Sequence, residues 1–309
     1  MERTIPISEL TKAIDEAYES FKSVKGGKIS PRNPNAKEKQ FGISVALVDG
    51  TTYDKADADI KFPMGSIVKI PIHSILLSQF GKKELMKKAG KVITGEEVNK
   101  QEKPKIPVSA HGIRAVSAIE PSGDPESKWN LIENRMIDMI GEAPTLNEEV
   151  YKSQKKAAED AGTEDAIAKA GYYLYDDAPI AIDLYLKAQA MEVNTKMLAK
   201  MGATIAADGY NPFTKKTVFD GVLSSQIVSY MADHGPHKMR KSWFLTAGLP
   251  AKSGFGGGIV AILPGVMSIA IYSPELNNQD VSIKAINALA YIMDKLQISV
   301  FESAKISFK

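Results

Sequence analysis

The feature that most constrains the fold is a helix without a polar face, predicted from Ser66 to about Gln79. Isoleucine, leucine and valine occupy it nearly all round, and a helix of this kind is usually buried inside a protein. An extended segment, Lys61-Phe-Pro-Met-Gly, runs directly into it. We therefore expect the chain to fold around this helix, with the helix beginning where an extended segment ends.

Ser66 and Lys69 stand three residues apart on the first turn of that helix. Residues at this spacing share a helix face, and apolar neighbours disfavour the charged form of an amine because they remove water from it. A neutral lysine can accept the proton of a serine hydroxyl and turn it into a nucleophile. A serine helix cap followed by a solvated lysine gives the same pattern, so the pair alone leaves both interpretations open.

A glycine-rich segment, Gly248-Leu-Pro-Ala-Lys-Ser-Gly-Phe-Gly-Gly-Gly258, is the second candidate for chemistry. Its glycines indicate a backbone that approaches another group closely. Lys-Ser-Gly corresponds to the Lys-Thr-Gly element that accompanies Ser-x-x-Lys in β-lactamases and penicillin-binding proteins. Lys252 would supply positive charge, Ser253 a hydroxyl, and the backbone N–H groups beside Gly254 a site for an oxyanion. Simple packing of a glycine-rich strand against the central helix is the alternative.

Composition excludes several classes of function. The chain has 309 residues, 44% of them hydrophobic and 25% charged, which suits a globular protein with a large core. A formal net charge of +2 gives no case for nucleic acid or membrane as a partner. No cysteine is present, and no cluster has the spacing of metal ligands, so we expect no cofactor and no metal. The polar N-terminus and the lack of a long apolar run predict a cytoplasmic protein.

The order of predicted elements gives the fold class, which is α/β of the α+β type. Hairpins are predicted around Asp49-Gly50 and around Gly265, and the chain between them is largely helical. Strands from both ends of the chain would form one antiparallel sheet flanked by helices. We predict one interleaved unit, in which residues 1–80 and 240–309 form the sheet-containing part and residues 81–239 form a mainly helical lobe with a surface loop at 81–118.

Five segments carry a family resemblance: Phe41-Gly-Ile-Ser-Val-Ala-Leu-Val-Asp-Gly, the Lys61–Lys69 motif, Ile119-Glu-Pro-Ser-Gly-Asp-Pro, Met201-Gly-Ala-Thr-Ile-Ala-Ala-Asp-Gly-Tyr-Asn-Pro and Gly248-Leu-Pro-Ala-Lys-Ser-Gly-Phe-Gly-Gly-Gly-Ile. Through them the chain resembles the serine-dependent glutaminases. The resemblance implies a β-lactamase/transpeptidase-like fold and hydrolysis of a carboxamide, by default L-glutamine to glutamate and ammonia. It also implies a small-molecule amide as the partner, and we expect a homodimer or homotetramer.

The resemblance further implies roles for residues of this chain. Ser66 would attack the amide and form an acyl-enzyme, with Lys69 as the base and Lys252 nearby. The backbone N–H groups of Ser66 and Phe255 would form the oxyanion hole. Tyr185 matches a tyrosine of the family's active site.

The chain departs from the family at positions that hold the substrate. Asp138 stands where the family has an asparagine, Gln154 where it has a glutamate, and His237 where it has a tyrosine. The family's early Tyr-Ile-Pro has no equivalent near Arg32–Pro34. We interpret His237 either as a proton relay or as a surface-loop histidine.

These departures predict an altered substrate and leave alternatives open. The first is a serine amidase or acyltransferase whose substrate is not glutamine. A β-lactam- or peptide-processing enzyme uses the same chemistry, although no export signal is visible. A non-catalytic relative that only binds a ligand is the third.

Overall fold

The computed structural model describes residues 2–89, 109–302 and 305–309. Its helices are α1 (Ile7–Phe21), α2 (Lys69–Ala89), α3 (Ala110–Ser117), α4 (Pro125–Ile140), α5 (Glu148–Asp160), α6 (Thr163–Lys169), α7 (Ala178–Gln189), α8 (Thr195–Ala206), α9 (Ser224–His234), α10 (Arg240–Ala247) and α11 (Ile283–Leu296). Its strands are β1 (Glu2–Ile5), β2 (Lys28–Ile29), β3 (Gly42–Leu47), β4 (Thr52–Ala56), β5 (Phe62–Pro63), β6 (Thr145–Leu146), β7 (Met191–Val193), β8 (Tyr210–Asn211), β9 (Lys216–Thr217), β10 (Ala251–Ser253), β11 (Gly258–Leu263), β12 (Met267–Tyr272), β13 (Glu275–Leu276) and β14 (Lys305–Phe308).

The main sheet joins strands from both ends of the chain. Its order is β10-β11-β12-β3-β4, and each neighbouring pair is antiparallel. The hairpin β3–β4 meets the C-terminal strands where Ser44 pairs with Ala270. The predicted antiparallel sheet from N- and C-terminal strands is therefore confirmed.

Both faces of this sheet are buried because successive side chains of a strand point to opposite faces. On β11, Ile259 and Ala261 belong to a core shared with α1 and α11. Val260 and Ile262 belong to a second core, which includes α2, α7 and α8. The sheet thus forms a layer between one pair of helices and the helical lobe.

Helix α2 runs through the middle of that second core, as its apolar sequence predicts. Ile70, Ile72 and Ile75 are buried. The helix begins later than predicted, at Lys69, because Gly65–Val68 forms a tighter 3-10 turn that contains Ser66. Gly81 interrupts the helix with a φ of +65°, close to the predicted end.

The division into two parts stays a prediction. Residues 90–108 lie outside the described residues, so the predicted surface loop at 81–118 is described only at its two ends. Both ends are helical, and Ile113 and Val116 of α3 are buried. The short sheet β5-β7-β6 was not predicted. Among the described residues, no helix is long and apolar enough to cross a membrane.

Candidate active site

Ser66 lies where β5 turns into the first helix of the lobe. The residue is buried, with 7% of its surface exposed. Gly65 precedes it with a φ of +56°, a backbone conformation that residues with a Cβ rarely adopt. This sharp turn places the serine at the meeting point of sheet and lobe.

The glycine-rich segment lies directly against that turn. A Cβ at Gly254 would be 2.2 Å from the carbonyl oxygen of Met64, and one at Gly65 would be 2.9 Å from the backbone nitrogen of Phe255. Only glycine permits such proximity at both places. The N–H of Phe255 therefore lies beside the Ser66 turn, and no acceptor in the described residues receives it. A free N–H beside the nucleophile is what an oxyanion hole requires.

Hydroxyl groups connect Ser66 with Lys69. The Lys69 amine donates to Ser109 Oγ at 2.7 Å. The Tyr185 phenol accepts from Gln189 Nε2 at 3.1 Å, and the hydroxyls of Ser66 and Ser109 lie close enough to it to act on its pKa. The predicted nucleophile and base are thus linked through a tyrosine and a second serine.

Burial changes the proton affinity of these groups. It lowers the pKa of Lys69 to about 8, because the charged amine is poorly hydrated. It also raises the pKa of Tyr185, although hydrogen bonds from Ser66 and Ser109 act in the opposite direction. The phenol therefore keeps its proton near neutral pH, while Lys69 loses its proton near pH 8, well below the ordinary range of a lysine.

Lys252 brings a second amine to the same site. It lies on β10 with 3% of its surface exposed, and it donates to the carbonyl of Gly235 at 3.0 Å. Burial and the charge of Lys69 lower its pKa to about 7. Ser253 is also buried, but its partner across the strands, Ile259, belongs to the core under α1 and α11. Lys252 and Ser253 therefore face opposite sides of the sheet.

Stacked rings close the site behind Lys69. The Tyr230 ring lies between His73 and His234, with centroids 4.2 and 4.3 Å away. Burial, with a contribution from His234, lowers the pKa of His73 to about 3, so this ring stays neutral. These three rings and Lys69 line one cavity of about 30 Å³. The rings limit water at the amine, which keeps it desolvated.

The three altered positions lie in different surroundings. Asp138 is exposed on α4, and its backbone carbonyl accepts from Asn211. No contact within the described part of the chain joins Asp138 to Ser66. Gln154 is buried on α5, and its Nε2 has no hydrogen-bond partner among the described residues. His237 begins a 3-10 turn, and its side chain is outside the described part.

Three residues of the site were missed by sequence reasoning. Ser109 and Gly112 lie in the stretch predicted as loop, and the Tyr185 ring packs on Gly112 so closely that a Cβ there would be 2.1 Å from Cζ. The helical spacing of the buried residues Ala110, Ile113 and Ser117 was the available signal. Arg32 lies in a loop and had no periodic signal at all.

Comparison with known proteins agrees with this geometry. A family model described as Glutaminase matches residues 28–301. A glutaminase of Bacteroides fragilis is 34% identical over 318 residues, covering 99% of each chain. The chain belongs to the glutaminase family.

Solved structures give the same result. The probable glutaminase ybaS has a TM-score of 0.86 at 30% identity, covering 97% of this chain and 100% of that one. The probable glutaminase from Bacillus subtilis complexed with 6-diazo-5-oxo-L-norleucine has a TM-score of 0.80 at 23% identity, covering 97% and 99%. The predicted β-lactamase-like fold of the family is confirmed.

Proposed function

We propose that the protein hydrolyses the side-chain amide of L-glutamine, or of a closely related carboxamide, through an acyl-Ser66 intermediate. One observation carries the proposal: the desolvated amine of Lys69 donates to Ser109, and the Tyr185 phenol lies beside both Ser109 and Ser66. Membership of the glutaminase family supports it, because relatives that cover almost the whole chain carry that name.

The first half of the reaction forms the acyl-enzyme. Ser66 Oγ attacks the amide carbon while its proton passes, directly or through Tyr185 and Ser109, to neutral Lys69. The backbone N–H groups of Ser66 and Phe255 stabilise the oxyanion. The C–N bond then breaks, the nitrogen takes the proton from Lys69, and ammonia leaves.

Water completes the reaction. It attacks the ester carbon of acyl-Ser66, gives its proton to Lys69, and releases the carboxylate product with Ser66 reprotonated. Lys252 supplies positive charge to the site while the oxyanion exists. Ser253, Gly254, Asp138, Gln154 and His237 stay proposed substrate-binding residues.

Covalent labelling tests the nucleophile. We expect a fluorophosphonate or 6-diazo-5-oxo-L-norleucine to add once per chain at Ser66, located by peptide mass spectrometry, and L-glutamine to release ammonia. Ser66→Ala should abolish both, whereas Ser20→Ala, an exposed serine on α1, should change neither. Folded wild-type protein that is neither labelled nor active would support the non-catalytic relative instead.

The substrate alternative needs a different comparison. A serine amidase or acyltransferase with another substrate would still be labelled at Ser66 but would release little ammonia from L-glutamine. The cytoplasmic location and the homodimer or homotetramer stay predictions, which cell fractionation and light scattering measure.

A further inference from the structure

Arg32 is a cation beside the candidate active site that has no carboxylate partner among the described residues. Its guanidinium carbon lies 4.0 Å from the centre of the Phe255 ring, and the side chain is half-buried. No hydrogen-bond acceptor or carboxylate in the described residues contacts the guanidinium. An arginine has five N–H donors, and it is costly to withdraw them from water without acceptors. Such an arginine suits an anionic ligand that arrives from solution.

The loop around Arg32 is held in place. Asn33 is buried and donates to the carbonyl of Gly256 at 2.9 Å and to the Tyr272 hydroxyl at 3.4 Å. Gly256 belongs to the same glycine-rich segment that lies against the Ser66 turn. The anchor fixes Arg32 relative to the nucleophile before any ligand binds, which reduces the entropy lost on binding.

Phe255 lies between Arg32 and the turn that carries the nucleophile in terms of contacts. Its backbone nitrogen and its ring both lie against Gly65, and the guanidinium stacks on the same ring. The charge of Arg32 also reaches Tyr185, where it lowers the pKa of the phenol against the effect of burial. On the solvent side, Arg32 and Phe255 line a cavity of about 520 Å³. Phe255 is thus the neighbour that the Ser66 turn and Arg32 share, which puts the guanidinium one side chain away from the turn that carries the nucleophile.

Asp280 does not occupy the guanidinium. It lines the same cavity, but its carboxylate lies 3.7 Å from the Lys238 amine and influences Arg32 only through its charge. Near Ser66 itself the charged side chains of the described site are Lys69 and Lys252. These two amines favour a negative ligand, and the carboxylate that lines the cavity, Asp280, already faces the Lys238 amine.

We propose that Arg32 is a specificity-determining residue that binds a carboxylate of the substrate. The substrate class is an ω-carboxamide with a carboxylate at its other end, for which an α-ammonium group is not required. L-glutamine fits this class, and so does glutaramate, which lacks the amino group. Glutaramate would acylate Ser66, release ammonia and yield glutarate after attack by water. This assignment rests on the proposed function for its chemistry, but binding at Arg32 can be measured without turnover.

Substrate analogues test the contributions of the carboxylate and of the amino group separately. For the wild type, kcat/KM should be at least as high for glutaramate as for L-glutamine, and at least tenfold lower for L-glutaminamide, which lacks the carboxylate. In Arg32→Gln the preference for L-glutamine over L-glutaminamide should disappear, mainly through KM. Arg32→Lys should restore part of it. The matched control Lys37→Gln removes an exposed cation from the same loop and should behave as wild type.

Glutarate binding, measured by calorimetry, keeps the test independent of catalysis. We expect Arg32→Gln to bind glutarate at least tenfold more weakly than wild type and Lys37→Gln to bind it equally. Equal glutarate affinity in Arg32→Gln, or an unchanged preference for L-glutamine over L-glutaminamide, would overturn the assignment. Glutarate binding that depends on Arg32, in a protein that hydrolyses none of the amides, would instead refute the proposed function and retain the anion site. Labelling at Ser66 in Arg32→Gln confirms that this variant is folded.

Discussion

The amine of Lys69 donates to the hydroxyl of Ser109 at 2.7 Å. Ser109 precedes α3, so the proposed base is positioned by a residue far along the chain from the Ser66-x-x-Lys69 motif. The phenol of Tyr185 contacts both serines. The motif is therefore completed by two elements of the helical lobe.

Ser109→Ala should lower kcat without a comparable change in KM. The substitution removes one hydroxyl from the connection between Ser66 and Lys69, and we expect a loss of about tenfold to a hundredfold. Steady-state ammonia release measures it, with the exposed Ser20→Ala as control. A variant that keeps wild-type kcat would show that the proton passes directly between Ser66 and Lys69.

Tyr185→Phe should separate catalysis from stability. The buried ring still packs on Gly112, so we expect the melting temperature to change little. Loss of the hydroxyl should lower kcat by about a hundredfold or more, because Ser66 and Ser109 lose their shared partner. Tyr173→Phe, whose residue is 58% exposed, is the matched control. Equal activity in both variants would remove Tyr185 from the proposed mechanism.

The pH profile of kcat/KM should be bell-shaped. The pKa values near 7 and near 8 belong to a pair of interacting amines, Lys252 and Lys69, so we assign them to the pair. Activity should rise with pH through about 7, since one amine must be neutral to act as base. It should fall above about 8, when both amines become neutral and the site loses its positive charge. A profile that rises steadily to pH 10 would contradict this assignment.

Lys252→Met should stabilise the protein and inactivate it. A lysine whose pKa is lowered by folding destabilises the folded state at every pH below its unfolded pKa, and fully below its folded pKa of about 7, because the unfolded chain binds the proton more tightly. We expect the free energy of unfolding at pH 6 to rise by an amount on the order of a few kcal/mol, and the gain to vanish as pH approaches about 10. Denaturant titrations at several pH values measure it.

Lys128→Met gives the opposite sign and serves as the control for that experiment. Lys128 is also fully buried, but its amine lies 2.7 Å from Asp176 and donates to the carbonyl of Ser117 at 2.9 Å. Its removal leaves a buried carboxylate unpaired, which costs about 3–5 kcal/mol. If both variants changed stability in the same direction, the burial cost assigned to Lys252 would be wrong.

Local signals made much of the architecture predictable. The Asp49-Gly50 turn located the hairpin β3–β4, and the apolar run after Lys69 located the central helix. Ser66 and Lys252 were found because their motifs are short and contiguous. The order of these elements, with strands near both ends and helices between them, also indicated that the two ends of the chain share one sheet.

The partners of those motifs were harder to predict. Ser109 contacts Lys69 although the two residues are forty positions apart in sequence. The helical pattern of α3 is short and follows a long polar segment, so it was not recognised. Arg32 lies in a loop, where neither helical nor strand periodicity exists. The strands β6 and β7 are too short for a pattern to emerge. A residue whose role depends only on tertiary contacts cannot be predicted from the periodicity of the sequence around it.

The pairing of β3 with β12 has a consequence for synthesis of the chain. Gly42 pairs with Tyr272, so the central strand of the sheet cannot be completed until most of the chain has left the ribosome. Contacts between such distant positions slow folding, because a long loop must close first. We therefore expect β3 of the early hairpin to stay unpaired on the side that later binds β12. Ser66 would reach its active arrangement only after the C-terminal strands have been added to the sheet.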